Sequence, residues 1–250
     1  MRKRIKPLVV FVFFVSFITI ILGAKHYSES KETKQQKAAI EQSSTITPKQ
    51  ADISDSNKED KAYKPIIDLS GWQRPSDINY DQLAKNISGA IIRVHSGAQA
   101  KKENAATHLN GIDKSYQRHI EEFQKRNIPV AVYAYVAGNS KKEMEKAAES
   151  FYKAASKYKP TYYWLDVEDK TMSDMNKGVE AFRAKLASLG AKNIGIYVGV
   201  YFMEEHSISV DNYSAIWIPS YGTNSGYYEN APKTDLIYDL HQYTSHGNLG

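Results

Sequence analysis

The segment Tyr162-Tyr163-Trp164-Leu165-Asp166-Val167-Glu168 sets two carboxylic acids two residues apart at the end of an apolar run. Side chains alternate along a strand, so Trp164, Asp166 and Glu168 share one face, with Tyr162 behind them. A carboxyl pair so placed suits acid-assisted cleavage of a glycosidic bond. One acid, raised in pKa, protonates the leaving oxygen, while the other stays ionised to stabilise positive charge or to position a reacting group. An isolated Asp-x-Glu more often opens a solvated loop, and Asp169 next door fits that reading too. Asp68, in Ile67-Asp68-Leu69-Ser70-Gly71-Trp72-Gln73, supplies a third carboxylate if its strand end lies beside that of Asp166. Its plainer reading is a strand-end turn residue.

Other residues could join such a site. Arg93 faces the same way as the acids and could anchor a carboxylate, either in the site or as a core ion pair. Tyr133, Tyr135, Tyr197 and Trp217 could stack on sugar rings or donate hydroxyls, with core packing as the alternative. His95, His108 and His119 fit no helical or strand chelate, so no metal is expected. His95 alone among them sits at a strand end. Cysteine is absent, which removes thiolate nucleophiles and disulfides. There is no Gly-rich phosphate loop and no Ser-nucleophile elbow, and no cofactor is expected.

The elements that would position these groups alternate. Strands are expected over Ile66–Leu69, Ala90–His95, Pro129–Val136, Thr161–Val167, Ile194–Val198, Ala215–Pro219 and Leu236–Tyr243. Helices are expected over Asp77–Lys85, Asp113–Arg126, Lys141–Tyr158, Ser173–Leu189 and Val200–His206. In the third helix Met144, Ala147, Ala148, Phe151, Tyr152 and Ala155 form one apolar face, and Gly190 stops the fourth. Five βα units followed by strands predict an α/β fold with a parallel sheet closed as a barrel. The C-terminal strand ends would share one mouth and bring Asp68, His95, Tyr135, Asp166 and Glu168 together.

Residues 1–24 read differently. Arg2, Lys3, Arg4 and Lys6 precede an apolar run from Pro7 to Ala24, the pattern of an export signal whose basic end stays in the cytoplasm. Its length predicts an uncleaved transmembrane anchor, with the folded domain outside a cell membrane. Cleavage at the small residues Gly23 and Ala24 would give a secreted form instead. Residues 25–62 are polar and charged, and predict a disordered extracellular stalk. Residues 1–62 hold 11 of the 33 Lys and Arg and 7 of the 28 Asp and Glu, so most of the net charge of +5 lies there. That distribution gives no basic stripe for nucleic acid.

The strand-end motifs, taken in order, resemble glycoside hydrolase family 25, the Chalaropsis-type lysozymes. They are Asp68-Leu69-Ser70-Gly71-Trp72-Gln73, Ala90-Ile91-Ile92-Arg93 and Trp164-Leu165-Asp166-Val167-Glu168, then Ile194-Gly195-Ile196-Tyr197, Ile216-Trp217-Ile218 and Gln242-Tyr243-Thr244-Ser245. The resemblance runs from about Pro65 to Gly250, within a hydrolase domain set at residues 63–250. It implies an irregular, TIM-like (β/α) barrel that cleaves the β-1,4 bond between N-acetylmuramic acid and N-acetylglucosamine in peptidoglycan. It makes Glu168 the general acid, Asp166 its orienting or stabilising partner and Asp68 a further active-site carboxylate, and it draws Gln242 into substrate binding. The partners it implies are peptidoglycan strands, and a monomer is expected. Where the family has Trp-Gln-Tyr the chain has His241-Gln242-Tyr243, and Pro219 stands in place of the usual Ala. Family members also continue to another strand-end Asp beyond the position of Gly250, so a truncated cleft is an expectation. A wall-binding module without turnover is the alternative that this raises.

Overall fold

A computed structural model describes residues 64–97, 102–247 and 249. The expected anchor at 1–24 and the stalk at 25–62 lie outside the described residues. Among the described residues no helix is long and apolar enough to cross a membrane.

Seven strands form one sheet in chain order, every neighbouring pair parallel. They are β1 (Ile66–Leu69), β2 (Gly89–His95), β3 (Val130–Tyr135), β4 (Tyr163–Val167), β5 (Ile194–Val198), β6 (Ala215–Pro219) and β7 (Leu240–Gln242). Helices follow the first five strands: α1 (Tyr80–Asn86), α2 (Tyr116–Lys125), α3 (Lys141–Ala155), α4 (Met175–Ser188) and α5 (Val200–Glu205). Parallel neighbours need such crossovers, and the sequential order places each helix outside the sheet.

Period-two alternation divides the strand residues between two cores. Ile92, Val94, Val132, Ala134, Leu165, Val167, Ile196 and Val198 point outward and pack with Ile120, Phe123, Met144, Phe151, Phe182 and Leu186 of the helices. Ile91, Ala131, Trp164, Tyr197, Ala215 and Trp217 point inward and pack on one another. Gly195 serves this inner core by its size. A Cβ there would lie 2.4 Å from the Trp164 ring, so only glycine lets the indole rest on β5.

The barrel expected from sequence is an open, curled sheet. Among the described residues β1 and β7 share no ladder. The curl still brings them close: a cavity of about 230 Å³ at the opposite end from the strand exits is lined by Ile66, Ile91, Ala131, Trp164, Ala215 and Leu240 together.

Several boundaries move for local reasons. The helix expected from Asp113 begins at Tyr116, because the Asp113 carboxylate is bound to Arg93 at 2.8 Å. The first helix begins at Tyr80, with the Asn79 side chain accepting from the Gln82 amide, after a separate 3-10 turn at Pro75–Asp77. The third ends at Ala155 and passes into a 3-10 turn over Ser156–Tyr158. Gly190, at φ 105°, ends α4 as expected, and the Ala191 amide closes on the Leu186 carbonyl. The last strand is three residues rather than the expected eight. Upstream of it Ile237 is 89% exposed and has no sheet to join.

Candidate active site

The C-terminal strand ends meet at one mouth, and the inward face supplies its groups. Asp68 lies one residue before the end of β1, Arg93 lies on β2, Tyr133 and Tyr135 on β3, and Asp166 on β4, with Glu168 just beyond. Tyr197 comes from β5, Trp217 from β6 and Gln242 from β7. All had been singled out from sequence, and the sheet brings them to one side of the fold.

Asp166 is buried, whereas Glu168 is exposed on the first residue past the strand. Burial pushes the Asp166 carboxyl well above the usual carboxylate range. The charge of Glu168 and direct contact with its carboxyl push the same way, as does Asp68, and only Arg93 opposes them. Burial and the neighbouring acids thus favour the protonated form of Asp166. The Asp166 Oδ1 atom is buried without a hydrogen-bond partner among the described residues.

Asp68 is half-buried, and its carboxyl is raised mainly by that burial, with Glu168 adding repulsion. A side-chain network holds it. The Gln242 Nε2 donates to Asp68 Oδ2 at 2.7 Å, and the Gln242 Oε1 accepts from the hydroxyls of Tyr197 and Tyr221, each at 2.7 Å. The two phenols are themselves 3.1 Å apart. Two donors on Oε1 fix the amide orientation, so the NH2 must face Asp68.

The remaining candidates divide by their surroundings. Tyr133 is half-buried between the acids, and its hydroxyl is held well above the usual phenol range by burial and by Asp68 and Asp166. Tyr135 donates its hydroxyl to Asp169. Trp217 is 6% exposed and packs edge-on against Tyr197 and Trp164, at centroid distances of 4.6 and 5.7 Å. Arg93 binds Asp113 through Nε at 2.8 Å, the core ion pair weighed for it, and lies close enough to Asp166 to favour its ionised form.

The histidines sit in structural positions. His95 is buried, its pKa lowered to about 4 by burial, and its Nδ1 accepts from the Gly97 amide at 3.2 Å. His119 bridges the Tyr80 hydroxyl at 2.7 Å and the Gln73 carbonyl at 3.0 Å, which pins the turn after β1. His108 lies on the surface 3.6 Å from Glu103. Among the described residues no group of three or more His, Asp or Glu side chains could hold a metal ion.

Three participants escaped the sequence reading. Tyr221 carried the same signal as the others, an aromatic just past a strand end, but followed the expected strand by two residues. Asp113 looked like the start of a helix. Asp169 looked like a solvated loop residue. Trp72, from the motif at the first strand end, stands 58% exposed just after β1.

A curled parallel sheet with an adjacent carboxyl pair and a third acid at its C-terminal mouth defines the active-site end of a hydrolytic α/β fold. The chain matches the family model described as glycosyl hydrolases family 25 over residues 67–250, and it belongs to that family. It is similar to GHIP, described as a glycosyl hydrolase 25 of Streptococcus pneumoniae and a virulence factor participating in host cell invasion. That match has 72% identity and a TM-score of 0.72, and covers 74% of this chain and 81% of that one. Two further structures share the fold at low identity. The catalytic domain of the endolysin ply40 from bacteriophage P40 of Listeria monocytogenes has 23% identity and a TM-score of 0.64, covering 76% of this chain and 88% of that one. The modular autolysin LytC of Streptococcus pneumoniae, in complex with a synthetic peptidoglycan ligand, has 19% identity and a TM-score of 0.56, covering 73% and 42%. Among curated proteins none matches.

Proposed function

We propose that this chain hydrolyses the β-1,4 bond between N-acetylmuramic acid and N-acetylglucosamine in peptidoglycan. The observation that carries the reading is the asymmetric carboxyl pair: buried Asp166, its carboxyl pushed above the usual range, beside exposed Glu168. Family membership supports it, and so does the peptidoglycan ligand of the LytC structure.

In this reading Glu168, at the open edge of the pair, protonates the leaving glycosidic oxygen as the C1–O bond breaks. Asp166 accepts the N–H of the substrate's acetamido group, which favours its ionised form and passes its proton to Glu168. The oriented acetamido oxygen then stabilises C1 until water replaces it and returns a proton to Glu168. Asp68, held by Gln242, adds negative charge where the sugar becomes positive. Tyr133, between the acids, and Tyr197, beside Gln242, bound the sugar site.

Digestion of purified peptidoglycan, with mass spectrometry of the new reducing ends, tests the proposal. Muramic-ended fragments from the wild type, and none from Glu168→Gln, are expected. Binding of wall glycan without any cleavage by the wild type would replace this reading with that of a binding module. We further propose that residues 1–24 hold the enzyme in the cell membrane with the hydrolase domain outside. Fractionation of cells expressing the full chain checks this, and release of a shortened form into the medium would refute it.

A further inference from the structure

We propose that Tyr135 and Asp169 form a latch that positions Glu168, an inference that rests on Glu168 being the proton donor. Tyr135 is the last residue of β3 and stands in register with Asp166 on β4. Its hydroxyl reaches past that residue and donates to the carboxylate of Asp169, the immediate neighbour of Glu168. Its ring is engaged as well: a Cβ added to Gly97 would lie 3.3 Å from Tyr135 Cδ1, so the ring rests along the exit of β2. A phenol held at both ends in this way is a strut between strands rather than a platform for sugar.

The segment that the strut reaches needs holding. Glu168 is exposed and lies outside the ladder, so its place is set by the backbone that carries it. Four carboxylates converge on that backbone: Asp68, Asp166, Glu168 and Asp169. Ionised carboxylates so placed repel one another, and Asp169, exposed like Glu168 and past the end of the strand, needs a tie to stay in place. The Tyr135 hydroxyl holds it without adding a charge of its own. Thr171, two residues on, makes a second tie by donating its hydroxyl to the Gly138 carbonyl at 2.7 Å. The exit of β4 is thus stitched twice to the exit of β3, first at Asp169 and again at Thr171. Glu168 sits on the strand side of the first stitch, where a shift of the loop is transmitted directly to its carboxyl.

The latch needs a hydrogen-bond acceptor at position 169, not a charge, and this sets the test. Full-length variants Tyr135→Phe, Asp169→Ala, Asp169→Asn and the Tyr135→Phe/Asp169→Ala double are assayed on soluble peptidoglycan fragments. Amide hydrogen exchange is followed over residues 168–173. Tyr135→Phe and Asp169→Ala are expected to lower kcat by about 10- to 100-fold with KM within about twofold, the signature of a misplaced catalytic group. The double variant should lose no more than either single one, since each breaks the same bond. Asp169→Asn, whose amide oxygen still accepts from Tyr135, should stay within about threefold of wild type, because the hydrogen bond is preserved. Exchange should quicken in the first two and not in Asp169→Asn. A rise in KM at unchanged kcat in Tyr135→Phe would make Tyr135 a sugar contact and overturn the latch. So would an Asp169→Asn as impaired as Asp169→Ala, since charge would then be the active feature. If the wild type cleaves nothing, the muramidase reading fails, and exchange alone decides the latch: unchanged protection in Tyr135→Phe overturns it.

Discussion

The side-chain amide of Gln242, on the last strand, donates to the carboxylate of Asp68, on the first, at 2.7 Å. The sheet has no ladder between these two strands among the described residues, so this contact spans the gap at the mouth. Its other half, the Oε1 atom, gathers the hydroxyls of Tyr197 and Tyr221. One residue therefore ties β1, β5, the segment after β6 and β7 together at the height of the acids.

Replacing Gln242 by Ala should leave two phenols without their acceptor and Asp68 without its donor. A loss of about 1–3 kcal/mol of unfolding free energy is expected from these unpaired polar groups. Cleavage should fall with it, because Asp68 is no longer held. Gln242→Glu keeps the shape but sets a second acid against Asp68, and should be at least as damaging at neutral pH. Urea unfolding of both variants, compared with wild type, decides the matter. Unchanged midpoints would mean that the network carries no stability.

The pH dependence of stability follows from Asp166. Its folded pKa is raised from 3.8, mainly by burial, so the folded state keeps a proton that the unfolded chain has released. Its contribution is therefore fully present below about pH 3.8 and is lost as pH rises through the folded value. Asp166→Asn, which never ionises, should raise the melting temperature at pH 7 while abolishing cleavage. Near pH 3 the two proteins should melt alike. A variant less stable than wild type at pH 7 would contradict the assignment.

Arg93 and Asp113 form a largely buried pair, with the Asp113 side chain fully enclosed. Removing one partner strands the other, so Asp113→Ala should cost about 3–5 kcal/mol. The double replacement Arg93→Met/Asp113→Leu should recover part of that loss, since no charge is then left unpaired. Chemical denaturation of the single and double variants measures both effects. A double variant worse than Asp113→Ala would show that Arg93 is needed beyond the pair.

Gly71 follows Asp68 by three residues and lies against Asp113. A Cβ there would stand 1.8 Å from Asp113 Oδ1 and 2.4 Å from the Ala106 carbonyl oxygen. Gly71→Ala must push the turn after β1 outward, and should cost about 1–3 kcal/mol as an overpacking substitution. Activity should fall further than stability accounts for, because the same turn carries Asp68. Activity measured well below the melting temperature separates the two.

Much of this site was legible from the chain alone. Alternation along a short apolar strand put Trp164, Asp166 and Glu168 on one face, and the strand ends put Asp68 and Tyr135 at the same mouth, whereas Gln242 was drawn in only by the family resemblance. The run of βα units fixed parallel pairing in chain order, and strand ends then had to converge. These are local properties, set by the two-residue period of a strand and the length of a crossover. The sequence did not determine which polar groups would meet. Arg93 faces Asp113 across 20 residues, Tyr135 reaches Asp169 across 34, and Gln242 meets Asp68 across 174. Nor did the sequence settle whether the sheet closes, how short its last strand is, or which acid of the pair keeps the proton. Those outcomes depend on how far the sheet curls and which side chains it removes from water. Burial of Asp166 and exposure of Glu168, two residues apart on one face, are decided by tertiary packing alone.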